Sequence, residues 1–350
     1  MTVHATRRDR HPAGSPILRR FGARGPAWLG ARTHASLRHP LIGLPAFLAL
    51  GGCTIRESDL LRWSIQSVSA GAAHTCGLNA DGEVRCWGAD DYGQASPPDG
   101  IFESVSAGGR LSCGLRESGA VECWGDIERD ENTTTVLGDA RVESVVAGDS
   151  HACALLSQRY SDLPDSDDLR LGSDAWCWGD LGEDLAAPED FLFGSLSAGD
   201  GFSCGLEVGG GGVRCWGALV HESGGRHEDL SAAQDLACAV QTTPYAASVD
   251  CWGDVPPDFD GGRQQTDHYY DDSPITQIAA GSRHVCWMLE DGRVECSGDD
   301  SSGQASPPPG EFDSITAGAE HTCGIHRRRG LLCWGSDEEG QSIPTLVDFE

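Results

Sequence analysis

Lysine is absent from this 350-residue chain, so all 25 basic side chains are arginines. That absence excludes chemistry. A phosphate-binding loop closes on Gly-Lys-Ser/Thr, a kinase uses a strand lysine, and a Schiff-base enzyme needs an amine nucleophile. Methionine occurs twice, as Met1 and Met288. Helix-forming runs are scarce, while the 47 glycines punctuate short apolar stretches in the manner of strands and turns. Basic charge is missing too, once the first 52 residues are set aside. They hold eight arginines and one acid, Asp9, and the remainder carries a net charge of −36. A body so acidic repels phosphate backbones, which disfavours nucleic-acid binding and fits a solvated, aggregation-resistant surface.

Residues 41–52, LIGLPAFLALGG, form a short apolar run behind the arginine-rich segment. At ~1.5 Å per residue a helix of that length spans roughly 18 Å, short of a ~30 Å bilayer core, so a signal-peptide core fits better than a membrane span. The run ends in Leu50-Gly51-Gly52-Cys53, which resembles a bacterial lipobox. The resemblance implies a leader over 1–52, cleavage before Cys53, acylation of Cys53, and a lipidated N-terminus with a short linker over 53–60. The bilayer is then a partner through the acylated Cys53, since several acyl chains anchor stably where one does not.

Internal repetition dominates the rest. A small-Ala-Gly motif recurs five residues before a cysteine, at Ala70-Gly71, Ala107-Gly108, Ala147-Gly148, Ala198-Gly199, Ala280-Gly281 and Ala317-Gly318, with Ala232-Ala233 as a degenerate seventh copy. The spacing averages about 41 residues, within the range of propeller blades. Each copy has a second cysteine, usually in Cys-Trp-Gly. Cys53 aside, fourteen cysteines form seven couples: Cys76 and Cys86, Cys113 and Cys123, Cys153 and Cys177, Cys204 and Cys215, Cys238 and Cys251, Cys286 and Cys296, Cys323 and Cys333. The segment between the members of a couple reads as a hairpin, with Asp81-Gly82 as the turn in the first copy. If Cys76 opposes Cys86, Leu78 opposes Val84 on the same sheet face, and directly opposed residues lie within reach of a disulfide. The alternative is zinc, because His74, His151, His284 and His321 each precede a cysteine by two residues. Three copies carry Leu111, Phe202 or Leu236 there instead, and each site would want two more ligands. Disulfides imply an oxidising compartment. The tryptophan after the second cysteine falls on the opposite face, suited to packing between blades. The sixth copy has Ser297 there and Trp287 after its first cysteine, so Trp287 is expected to fill the gap.

Ala70-Gly71-x-x-His74-Thr75, Gly82-x-Val84, Trp87-Gly88 and Gly93-Gln94 together resemble the regulator of chromosome condensation repeat family, in particular its bacterial exported, disulfide-containing members. Gly-Gln returns at 303–304 and 340–341. The resemblance implies an all-β, seven-bladed β-propeller of four-stranded blades over residues 61–350. Blades stack into a core, which leaves recognition to the end loops. The irregular loops are 157–173, with Asp162, Asp165, Asp167 and Asp168, and 254–273, where Tyr269 and Tyr270 are followed by Asp271 and Asp272. Paired tyrosines among acids would suit a basic protein. Neither Asp258-Phe259-Asp260-Gly261 nor Asp165-Ser166-Asp167-Asp168 has the spacing of an EF-hand, so no metal and no cofactor is expected. The expected function is a non-catalytic, membrane-tethered module of the cell envelope (outer membrane or cell surface), extracytoplasmic, binding an unidentified protein, for which the acidic body favours a basic one. The alternatives are a glycan-binding propeller, which would repeat an exposed aromatic in every blade, and a hydrolase or lyase using carboxylate pairs.

Overall fold

A computed structural model describes residues 65–343 except 128–140, 158–172, 181–185, 189–190, 244–246, 257–258 and 260–273. Cys53 and the quartet Tyr269–Asp272 therefore lie outside the described residues. Every regular element among the described residues is a strand, and the strands make seven consecutive antiparallel blades, of which the third and fourth are joined into one sheet where Ser173 pairs with Phe193. Blade one comprises Ile65–Ala70, His74–Asn79 and Val84–Gly88, here called its inner, middle and outer strands. Blade two is Phe102–Ala107, Leu111–Arg116 and Val121–Gly125, and blade three is Val142–Ala147, His151–Ser157 and Ser173–Gly179. Blade four has Phe193–Ala198, Phe202–Glu207, Val213–Gly217 and a fourth strand, His221–Ser223. Blade five is His227–Ala233, Leu236–Thr242 and Ala247–Gly253; blade six is Ile275–Ala280, His284–Leu289 and Val294–Gly298. Blade seven, Phe312–Ala317, His321–His326 and Gly330–Gly335, packs against blade one and closes the ring. Elsewhere among the described residues the chain after the outer strand turns away without pairing. Pro97-Pro98 and Pro307-Pro308-Pro309 stand in two of those segments, where they offer no N–H to a sheet edge.

Register explains the periodic chemistry. Cys76 faces Cys86, Thr75 faces Trp87 and Leu78 faces Val84, and the same alignment recurs in every blade. The seven opposed couples are bonded as disulfides, with Cα atoms 4.0–4.1 Å apart and sequence separations of 10 to 24. The zinc alternative fails on this pairing, since the cysteines it requires are consumed. Every inner strand also carries a register shift near its start, such as that between Ile65 and Ser67. A bulge of this kind adds twist and bends a strand, which suits strands around a narrow axis.

The outer-strand tryptophans Trp87, Trp124, Trp178 and Trp216 are buried. Trp87 lies over Gly77, whose missing Cβ leaves room for the ring. In blade six Trp287 occupies that glycine's register position and is buried in one cluster with Leu236, Val240 and Val249. The indole has exchanged strands and kept its place between blades.

Candidate functional site

The inner strands of all seven blades line a central channel of about 410 Å³. One mouth is formed where inner strand turns into middle strand. There a relay of backbone hydrogen bonds links successive blades: Ala72 N–H donates to Gly108 O (2.8 Å), Gly109 to Gly148 (3.0 Å), Asp149 to Gly199 (3.2 Å) and Asp200 to Gln234 (2.9 Å). Ser282 donates to Ala319 (3.3 Å) and Ala319 to Ala72 (3.1 Å). This collar accounts for the glycine of the repeat. A Cβ on Gly108 would stand 1.8 Å from Gly148 O, and one on Gly318 would stand 2.2 Å from Gly71 O. Below the collar, the hydroxyl of Ser69 accepts the Ala107 N–H (2.9 Å), and Ser106, Ser197, Ser231 and Thr316 serve the following blade in the same way.

Between middle strands the blades meet through matched pairs. His74 Nε2 bonds Ser112 Oγ, His151 bonds Ser203, His284 bonds Thr322 and His321 bonds Thr75, each at 2.8 Å. Where the histidine is replaced, the hydroxyl is replaced as well. Leu111 shares a buried cluster with Ala152, Phe202 with Ala237 and Leu236 with Val285. In three of the polar joints the hydroxyl donates onward to a glutamine carbonyl: Ser112 to Gln94 (3.0 Å), Thr322 to Gln304 (2.9 Å) and Thr75 to Gln341 (3.0 Å). The same carbonyls accept the indole N–H of Trp124, Trp334 and Trp87. With the hydroxyl proton so committed, Nε2 must be the ring donor, and Nδ1 is left as a buried acceptor without a partner. Burial holds His74, His151 and His284 down to about 4, and His321 to about 3. All four are neutral, structural side chains. These carbonyls belong to the backbone; the glutamine side chains hold the turn that presents them, Oε1 of Gln94, Gln304 and Gln341 accepting the N–H of Tyr92, Ser302 and Glu339 (2.9 Å each).

The two ends of the ring differ in charge. The mouth-end loops carry Asp90 and Asp91 in blade one, Asp126 in two, Asp149 and Asp180 in three, and Asp200 in four. They continue with Asp235 and Asp254 in five, Asp299 and Asp300 in six, and Glu320 with Asp337, Glu338 and Glu339 in seven. The arginines among these described loops are Arg110, 3.1 Å from Asp126, and Arg283, 3.9 Å from Asp299. Burial and the nearby Asp200 push the Asp149 carboxyl up. At the opposite end, where the hairpin turns lie, arginine and acid neutralise each other. Arg116 pairs with Glu122, Arg214 with Glu207 and Glu222 (3.0 and 2.9 Å), and Arg327 with Asp313 and Glu311 (2.9 and 3.0 Å). Such exposed pairs contribute little stability. Their weight is in the field: among the described residues, arginines stand beside many of the acids at one end, while the other is an acidic ring with two arginines. Of the irregular loops singled out in the sequence, Asp254 belongs to this end, and Phe259 is buried in the cluster between blades five and six.

The regulator of chromosome condensation (RCC1) repeat family model matches residues 65–94, 275–304 and 312–341. Among solved structures, the ectodomain of the Physcomitrella patens receptor kinase CR4 is similar at 24% identity, covering 78% of this chain and 74% of that one, with a TM-score of 0.61. The CRINKLY WD40 ectodomain of the Arabidopsis thaliana receptor kinase ACR4 is similar at 24% identity, covering 80% and 98%, with a TM-score of 0.59. Human WBSCR16 is similar at 13% identity, covering 75% and 87%, with a TM-score of 0.56. At these identities the likenesses establish the fold. The seven disulfides independently place the folded chain in an oxidising, extracytoplasmic compartment.

Proposed function

Taking the chain as a propeller built of regulator of chromosome condensation repeats, we propose that it is a non-catalytic protein-interaction module, tethered to a membrane through acylated Cys53, whose acidic mouth end receives a basic protein. Residues 1–52 act as the leader, 53–60 as the linker and 61–350 as the binding body. The observation that carries this reading is the segregation of charge. Among the described residues, acids of all seven blades converge on one end with two arginines among them, while at the other end many of the acids are paired with arginine. A field of one sign over a rigid ring steers an oppositely charged partner and fixes which end it meets. A chain held by its N-terminus would keep such an end available to a neighbour in the same envelope.

Capture from the native envelope tests this with the full chain and three variants. One neutralises Asp91, Asp235, Asp254 and Glu338 at the mouth end, one neutralises Asp81, Glu103, Glu117 and Glu290 at the hairpin end, and one is Cys53→Ser. The expected partner is basic, is held in dilute salt and released near 0.5 M, where screening lengths shrink to a few ångströms. The mouth-end variant should bind at least tenfold more weakly and the hairpin-end variant like the parent. Cys53→Ser should leave the membrane fraction yet bind the partner. Equal weakening by both charge variants, or capture insensitive to salt, would contradict the proposal.

A further inference from the structure

Six of the seven joints between blades are spanned by the chain itself, and the joint between blades seven and one is not. All seven disulfides lie within blades, so among the described residues no covalent bond crosses that seam. What crosses it is polar. His321 bonds Thr75 (2.8 Å), Thr75 and the Trp87 indole both donate to Gln341 O (3.0 and 2.9 Å), Ala319 N–H meets Ala72 O (3.1 Å), and Ala70 N–H meets Thr316 Oγ1 (3.1 Å). The histidine joints are also unevenly distributed. Those of His284, His321 and His74 are consecutive and centre on the seam, while the joints from blades two to three, four to five and five to six are apolar.

The geometry points to a conformational device built into the ring: acidification parts blade seven from blade one while each blade stays folded on its own disulfide. The proton has no place in the closed seam. Nδ1 of His321 is buried without a partner and lies against Gly318, and Nδ1 of His284 and His74 lie likewise against Gly281 and Gly71. The groups facing His321 are the rings of His284 and His74, which would add like charge, and Asp337, which is exposed. Asp299 and Asp300 face His284, and Asp90 faces His74, in each case from an exposed or half-exposed loop outside the joint. These carboxylates favour the charged ring, but burial outweighs them.

The sign follows. Each ring titrates lower in the closed joint than in water, so closure is fully stable above the ordinary histidine range near 6.5. Stability falls as pH drops toward 4 and then 3, because the opened form takes up protons that the closed form refuses. Between blades five and six the effect runs the other way. Asp229, pushed up to about 6 by burial, accepts the Ile278 N–H (2.7 Å), and that joint is not weakened by acid. His151 makes the joint between blades three and four acid-sensitive too, but the chain spans it and no second histidine adjoins it.

Hydrogen exchange on the full chain at pH 7 and pH 4.5, corrected for intrinsic rates, reads the seam against an internal control. The amides of Ala70 and Ala319 should open at least tenfold more readily at pH 4.5. Those of Gly109 and Ala147, across the apolar joint from blade two to three, should be unchanged. Replacing His321→Leu together with Thr75→Val installs the Leu236–Val285 pairing at the seam and should abolish its acid response. If the seam and control amides accelerate together, or the paired variant opens at the same pH as the parent, the device does not exist. Should the paired variant fail to fold, the contrast between the two joints of the parent decides alone.

Discussion

Complete reduction of the seven disulfides is expected to unfold the propeller at neutral pH and room temperature. In the chain-entropy picture, loops with separations of 10 to 24 residues give about 3 kcal/mol each. Seven of them amount to roughly 20 kcal/mol, beyond the ~5–15 kcal/mol of net stability typical of a folded domain. The blades have little with which to compensate, because most are three short strands whose apolar residues meet a neighbour only if that neighbour is folded. Loss of order in one blade thus removes a wall from the next, and the transition should be cooperative around the ring. The first cysteine of every couple is fully buried, so reduction will be slow until the blades open. Far-ultraviolet circular dichroism after prolonged reductant, with thiols counted in parallel, is the appropriate measurement. Seven pairs of free thiols in a chain of native ellipticity would show that the staples are dispensable.

Gly108→Ala is the single substitution expected to cost most. The new methyl would lie 1.8 Å from Gly148 O and within 3.0 Å of Ala147 C, which belong to the backbone of blade three rather than to a side chain that could swing aside. Relief requires blade three to retreat from blade two, stretching the Gly109-to-Gly148 hydrogen bond (3.0 Å) and loosening the Leu111–Ala152 contact behind it. Overpacking costs about 1–3 kcal/mol where a core can adjust. Here it should reach about 3 kcal/mol or more, read as a fall in the urea midpoint with the slope unchanged. Gly93→Ala is the contrasting case. Gly93 has φ +83° with nothing within 4 Å of a built Cβ, so only left-handed backbone strain of about 1–2 kcal/mol applies. Similar losses at the two positions would show that the collar is looser than its geometry implies.

Why glycine sits at the collar was not apparent from the motif, although the motif itself found the blades. Repeats aligned on one another reveal what each unit has in common: two opposed cysteines, a turn, a tryptophan on the far face. They do not reveal what one unit offers the next. The pairing of His74 with Ser112, or of Leu111 with Ala152, joins the residue two before a cysteine in one copy to the residue one before it in the following copy. That rule holds at all seven joints and stands written in the sequence, but it becomes visible only once the direction in which blades stack is known. Along the sequence the histidines stand beside cysteines and resemble metal ligands, whereas their neighbours across the joint are hydroxyls. Blade five shows the same logic in its exception. Phe202 abuts Gly199 and histidine rings abut Gly71, Gly148, Gly281 and Gly318; Gly108, which precedes Leu111, is held by the Gly148 carbonyl instead, and only in blade five does alanine, Ala233, stand at this place, ahead of Leu236. Charge segregation was hidden for a similar reason. The chain is acidic almost everywhere past residue 52, and only the fold separates acids that meet arginine from acids that do not. The tyrosine pair at 269–270 lies outside the described residues, so interest shifts to the mouth-end loops.

The ring rests on matched pairs between self-stapled blades, and a double-mutant cycle at one joint tests that most directly. Ser112→Ala leaves the His74 Nε2–H buried without an acceptor, and His74→Leu sets an apolar side chain against a hydroxyl. Each should cost about 1–3 kcal/mol in urea unfolding, the penalty of an unpaired buried polar group or a spoiled joint. The combination reproduces the Leu111–Ala152 pairing already used one blade further on. The account predicts that it costs less than the two single changes together by at least about 1 kcal/mol. Strict additivity would contradict it, because the two residues would then contribute to the ring separately and not as a pair.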